Sequence, residues 1–183
     1  MAACMGCLFL FSCENDVNEV DNQFKKKTAV EEAFNVDGYL SGEGKMKARL
    51  TAPYMLRYQP VNSSDSPYIE FPRTLHVDFF DDSTRVESTL DALYARNNEY
   101  EKKVFLRDSV VVINKFRGDT LHTSELWWDQ GKETFYTDKP VRIYQRTKVI
   151  YGIGMTSKQD FSDWSIFNIT NSQALVNPSG IPQ

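Results

Sequence analysis

Between Thr74 and Lys139 the chain carries no proline, and Gly118 and Gly131 are its only glycines. Across that span apolar residues recur at every second position, and helical spacing is never sustained. A two-residue period puts one apolar face on a strand and leaves the other polar, so the span predicts strands and little else. The pattern is densest from Gly118 to Met155: Leu121 with Thr123, Leu126 with Trp128, Phe135 with Thr137, Val141 with Ile143, then Ile150, Gly152 and Gly154. Turn signals stand between these runs at Asp129-Gln130-Gly131-Lys132, Asp138-Lys139-Pro140 and Gln145-Arg146-Thr147. Short alternating strands joined by tight turns predict an antiparallel meander.

The same alternation appears upstream. Leu75, Val77 and Phe79 share a face before a turn at Asp81-Asp82-Ser83; Val104, Leu106, Val110 and Val112 share another after a turn at Asn97-Asn98-Glu99. From Lys45 to Tyr58, Met46, Ala48, Leu50 and Ala52 alternate with Lys45, Lys47, Arg49 and Thr51 until Pro53 breaks or bends the strand, which predicts an edge or a strand end. A weak repeat of roughly 30 residues relates Val104 to Phe135, Val110 to Val141 and Leu93-Tyr94-Ala95 to Leu126-Trp127-Trp128. One such unit cannot bury its own apolar face, so the predicted sheet folds over on itself.

With 183 residues the chain is long enough for one domain with a sizeable core. Its net charge of −4 offers no basic stripe for phosphates, which argues against a nucleic-acid partner. The three cysteines, Cys4, Cys7 and Cys13, all precede the strand pattern, so the body has no disulfide, cysteine metal site or thiol nucleophile. The opening MAACMGCLFLFSC is far shorter than the roughly 20 apolar residues of a membrane span. It resembles the end of a signal peptide, and Leu10-Phe11-Ser12-Cys13 resembles a lipobox that makes Cys13 the lipidation site. A signal peptide starts with basic residues, and the first here is Lys25, which points to a start further upstream. The Cys4–Cys7 spacing is redox-like but falls inside the apolar leader.

Four segments follow from this reading: a leader over 1–13, an acidic tether over 14–35, the β body over 36–172, and a tail over 173–183, where Pro178 and Pro182 cannot extend a sheet. Within the tether, Thr28–Phe34 predicts a short capped helix, with Thr28 as N-cap and Glu31 completing a capping box.

Catalytic constellations are thin. The two histidines, His76 and His122, lie far apart in sequence; His76 alternates with apolar neighbours and faces solvent, and His122 with Glu125 makes an incomplete ligand set. No nucleophile elbow or phosphate loop is present. The sequence predicts no enzyme and no cofactor. Lys102, Lys103, Arg142 and Arg146 are candidates for contact with lipid phosphates.

Five stretches carry a family resemblance: Pro67–Pro72 (PYIEFP), Val110–Asn114 (VVVIN), Gly118–Asp129 (GDTLHTSELWWD), Phe135–Asp138 (FYTD) and Tyr151–Met155 (YGIGM). In order and spacing, over about Gly38 to Ile169, they resemble LptC, the periplasmic component of the lipopolysaccharide export machine, in its Bacteroidetes-like, lipid-anchored form. The resemblance implies a twisted, V-shaped antiparallel β-jellyroll with an open apolar groove, attached to the inner membrane. It implies transport rather than chemistry: lipopolysaccharide is taken from inner-membrane ABC transporter permeases and passed to an LptA-like periplasmic bridge protein by edge-strand pairing. By parity alone Leu75, Val77, Phe79, Tyr94, Leu106, Val110, Val112, Leu121, Leu126, Trp128, Phe135, Val141, Ile143, Ile150, Met155, Trp164 and Ile166 are core residues. The resemblance makes them the lining of a groove for lipid A acyl chains, with Gly152 and Gly154 leaving room for a chain or a strand bend. It also makes Met46, Ala48 and Leu50 the edge that faces the transporter, and Ser165, Phe167 and Ile169 the edge that faces the bridge protein. A structural or ligand-binding β-sandwich lipoprotein is the alternative.

Overall fold

The computed structural model describes residues 28–60 and 66–174. Cys13, the acidic stretch up to residue 27 and the tail from residue 175 lie outside the described residues. The strands are β1 (Thr28–Gly42), β2 (Lys45–Pro60), β3 (Tyr68–Phe71), β4 (Leu75–Phe80), β5 (Val86–Ala92), β6 (Tyr94–Asn98), β7 (Lys103–Asn114), β8 (Thr120–Asp129), β9 (Thr134–Tyr144), β10 (Lys148–Lys158) and β11 (Trp164–Ala174). They form one 11-stranded antiparallel sheet that does not close into a barrel. This is the expected all-β jellyroll.

The connectivity is simpler than eleven strands suggest. β2 pairs with β4 through Ala48–Thr51 and with β3 through Leu56–Tyr58, so β3 and β4 are two halves of one strand interrupted at Pro72 to Thr74. β7 likewise pairs with β6 through its first half and with β5 through its second, with the interruption at Leu93. Every strand therefore lies beside its neighbours in sequence, as a meander requires.

The interruptions line up. The β7–β8 register shifts between Arg107 and Val110, the β8–β9 register between Thr123 and Trp127, and the β9–β10 register between Ile153 and Met155. Asp108 and Ser109 (φ 64° and 57°) and Gly154 (φ 74°) take left-handed conformations on this line. The Leu93 N–H donates to the Asp108 carbonyl at 3.0 Å, tying two of the breaks together. On the first pair the line crosses Asn35 (φ 52°) and Pro53, which face each other between the Phe34–Tyr54 and Val36–Ala52 pairs. Proline is tolerated there because no ladder bond is asked of it. Bulges bend strands and increase their twist. A row of them across the sheet is a crease, along which the sheet folds over its apolar face.

Contacts between strands that are not sheet neighbours record the folding. Phe79 of β4 packs edge to face on Trp128 of β8 and Phe135 of β9. At one end the β10–β11 turn crosses to the other wall, where Ser88 Oγ donates to the Gln159 carbonyl (2.8 Å) and Asn114 Nδ2 to the Asp160 carbonyl (2.8 Å). Phe161, fully buried, plugs that end.

Several expectations need correction. Thr28–Phe34 is the first half of β1, not a helix, so the body begins inside the stretch expected as tether. Six or seven residues cannot nucleate a stable helix alone, whereas this segment pairs with β2 from Thr28–Pro60 to Phe34–Tyr54. The Phe34 and Tyr54 rings pack tilted with centroids 5.0 Å apart, and the Tyr54 hydroxyl donates to Glu32 at 3.0 Å. Met46, Ala48 and Leu50 are consequently not an edge: β2 is paired on both sides, and β1 is the outer strand. Asp138-Lys139-Pro140 is not a turn but lies inside β9, at the crease.

Candidate lipid-binding mouth

Most residues expected to line a groove are packed core. Leu75, Val77, Phe79, Leu106, Val110, Val112, Leu121, Leu126, Trp128, Phe135, Val141, Ile143, Ile150 and Met155 are all buried, and Trp164 and Ile166 pack against them half-exposed. Through the middle of the domain the two walls touch.

Tyr94 is placed on the opposite face. The break at Leu93 moves the inward parity from Leu90 and Ala92 to Ala95, which is fully buried. Tyr94 then lies outward: its hydroxyl donates to Glu70 Oε1 (2.9 Å) and the Arg107 guanidinium sits 4.2 Å above its ring. Burial and the Glu70 carboxylate push its phenol up to about 12. Gly152 and Gly154 leave no room for a ligand either. A side chain at Gly152 would collide with Ile166 and stand 2.7 Å from the Asn168 carbonyl; one at Gly154 would stand 2.8 Å from the Phe167 ring. Both glycines serve the close approach of β11, and Gly154 also makes the strand bend.

The walls part where β1 and β2 leave the core. A cavity of about 290 Å³ lies between Leu40, Leu50, Ile69 and Phe71 on one side and Trp128 and Gln130 on the other, with Asn97 also in its lining. Its lining is largely apolar. Leu40, Ala48, Trp128 and Gln130 also border a larger outer space of about 680 Å³ carrying Glu43, Lys47, Lys102 and Glu133. An apolar recess adjoining a charged vestibule suits an amphiphile, with hydrocarbon inside and ionic groups outside. Lys47 reaches Glu133 at 3.9 Å across the vestibule. Of the basic residues considered for lipid phosphates, Lys102 stands at this mouth, while Arg142 is on the outer face over the Tyr144 ring (5.2 Å).

Sequence reading missed this location for physical reasons. Gly38 and Leu40 fall on β1 just after the residues mistaken for a helix. Asn97 looked like a turn residue, whereas it is a β6 residue between Ile69 and Val104. Ile69 and Phe71 were visible in the quoted PYIEFP stretch, where their shared parity was the available signal.

The histidines are apart and differently held. His76 is outward, with Nδ1 2.7 Å from Asp91 and Nε2 3.2 Å from Asp78. Burial opposes its charge, but the two carboxylates outweigh burial and raise its pKa. His122 stacks edge-on against Tyr144, and burial followed by the nearby Arg142 lowers its pKa. Among the described residues no group of three or more His, Cys, Asp or Glu side chains is arranged to hold a metal.

Both outer strands are open. β1 pairs only with β2, and β11 only with β10, among the described residues. β11 carries Phe167 and Ile169, each about two-thirds exposed (65% and 66%), beside Ser165. β1 carries exposed Val30, Phe34, Tyr39 and Leu40. Unprotected apolar edges of this length are normally avoided in soluble proteins unless something pairs with them.

The sequence profile of the family described as lipopolysaccharide-assembly, LptC-related, matches residues 1–163. This chain belongs to that family. The match ends just before β11, so the last edge strand lies beyond it. A comparison with curated proteins returns no match. Membership assigns the LptC-family chain a role in lipopolysaccharide assembly and transport in the cell envelope, as a transport component and not an enzyme.

Proposed function

We propose that this LptC-family chain receives lipopolysaccharide from an inner-membrane ABC transporter and hands it to an LptA-like periplasmic bridge protein, with acyl chains held at the mouth beside β1. Lipidation at Cys13 tethers it to the inner membrane. The observation that carries the reading is the apolar recess adjoining a charged vestibule where β1 and β2 leave the core. Each acyl methylene taken from water gains about 0.8 kcal/mol, so even a partial chain is held usefully there. The open edges support handover by strand addition: β1 toward the transporter and Ser165, Phe167 and Ile169 of β11 toward the bridge. Leu75, Val77, Phe79, Leu106 and the rest of the buried set become lining only if the walls separate along the crease during passage.

The test is photocrosslinking in cells. A photoreactive residue at Leu40 or Leu50 is expected to capture lipopolysaccharide, and one at outward-facing Ile113 is not. Capture at Ile113 alone, or at no mouth position, overturns the proposal. The sealed middle of the core favours a second reading, a structural lipoprotein that joins partners through its edges without carrying lipid. It predicts intact partner crosslinks from β11 with lipid crosslinks absent at every inward position.

A further inference from the structure

The turn between β10 and β11, residues 159–163, crosses from one wall of the folded sheet to the other. Two buried side chains of the facing wall, Ser88 and Asn114, donate to its Gln159 and Asp160 carbonyls. The Gln159 N–H donates to the Glu133 carbonyl (2.9 Å), and Gln159 Oε1 accepts from Trp128 Nε1 (3.2 Å). So held, the turn places Phe161 in the core, fully buried.

Costs of closure are concentrated here. Phe161 takes a left-handed conformation (φ 53°), which a bulky side chain adopts only under constraint. Ser157 pairs with Trp164 in the last β10–β11 pair before the turn, and its Oγ is buried with no hydrogen-bond partner. Water admitted there would pair it. Across the contact, burial and then the Asp160 carboxylate of the turn push the Glu87 carboxyl up. Swinging the turn out relieves all of these and gives up the burial of Phe161 and the bonds above. Elements that open locally are drawn from such divided, low-stability regions.

The turn also stands between two spaces. Gln159 borders the outer vestibule of about 680 Å³ and a second cavity of about 350 Å³ that runs to Phe80, Glu87 and Thr134. We propose that this turn is a latch and Phe161 an internal stand-in for lipid: an acyl chain entering at the mouth displaces Phe161, the turn swings out and the two spaces join. This rests on the proposed lipid-binding mouth and names the segment that yields to the chain. Lipid favours the open form because it takes the space that Phe161 fills, and a ligand shifts two forms only through such a difference.

The experiment is amide hydrogen exchange on the full chain with and without lipopolysaccharide. Lipopolysaccharide is expected to slow exchange across Gly38–Leu40 of β1 and to speed it at Gln159 and Phe161, the reverse of ordinary protection by a ligand. Ser88→Ala removes one bond to the latch and is expected to speed those two amides about fivefold without lipid, while protected β7, β8 and β9 ladders show that it is folded. Slowed exchange at the mouth with Gln159 and Phe161 unchanged or slowed overturns the latch and leaves the mouth standing. So does exchange of Gln159 and Phe161 in step with the β7–β9 ladders in wild type, or a folded Ser88→Ala that leaves them unmoved. If Ser88→Ala loses its ladders, the wild-type comparison decides alone. A mouth untouched by lipopolysaccharide overturns the mouth, and the role of the latch with it.

Discussion

Phe79 of β4 and Trp128 of β8 meet edge to face with ring centroids 5.0 Å apart and planes at 89°, although β5 and β7 lie between their strands in the sheet. Phe135 of β9 joins them at 5.7 Å. The folded-over sheet is clamped at this cluster, and the clamp decides how far an open channel extends. Phe79→Ala is expected to cost about 3–5 kcal/mol in urea unfolding, the range for a fully packed phenylalanine. That is a large share of the roughly 5–15 kcal/mol that holds a domain folded. A cost under about 1 kcal/mol would mean that the walls are already apart at Phe79 and that the groove runs through.

Gly152 fixes the last strand. Its missing side chain lets the Asn168 carbonyl and the Ile166 side chain of β11 approach β10, where the register shifts between Tyr151 and Gly152. The carbonyl is backbone and cannot rotate aside, so Gly152→Ala forces the strands apart. The expected result is loss of amide-exchange protection across β11 with β7, β8 and β9 still protected, because their ladders do not involve β11. It follows that bridge-protein binding, if it uses this edge, fails in a variant whose core is intact. Uniform loss of protection would place Gly152 in the core instead of at its margin.

The meander itself was legible because a two-residue period survives wherever one face is buried: Leu121, Leu126, Trp128, Phe135 and Ile143 are all inward as parity demands. What parity could not carry was position across the crease. Leu93 belongs to neither half-strand, so counting through it put Tyr94 inside and left Ala95 unnoticed, a one-residue slip that exchanges the faces. Thr28–Phe34 misled for a different reason. Its capping-box residues state a local preference worth about 1 kcal/mol, and the long ladder with β2 outweighs it. Glycine at 152 and 154 was ambiguous between room and contact, since the sequence does not say what fills the missing volume. The mouth residue Asn97 carried no signal at all, because an asparagine in a strand looks like one in a turn until its neighbours Ile69 and Val104 are known.

The two histidines provide an internal control on the electrostatics of the outer face. Burial disfavours the charged form of both, but His76 is gripped by Asp91 and Asp78, while His122 faces Arg142. An NMR titration is expected to find His76 above the ordinary histidine value of about 6.5 and His122 below it. The signs then follow for stability. A raised folded pKa makes protonated His76 stabilising below about pH 6.5, and that contribution disappears as the pH climbs through the folded value. A lowered one makes His122 neutral in its effect above about pH 6.5, increasingly destabilising as the pH falls below that, and fully so once the pH has passed its folded value. Asp91→Asn removes the nearer carboxylate, at 2.7 Å, and is expected to bring the His76 pKa down while leaving that of His122 in place. The variant's loss of stability should be greater at about pH 5.5 than at about pH 8.5. Coincident titration of the two rings, or an Asp91→Asn loss that is equal at both pH values, would show that the carboxylates do not hold His76 in its charged form.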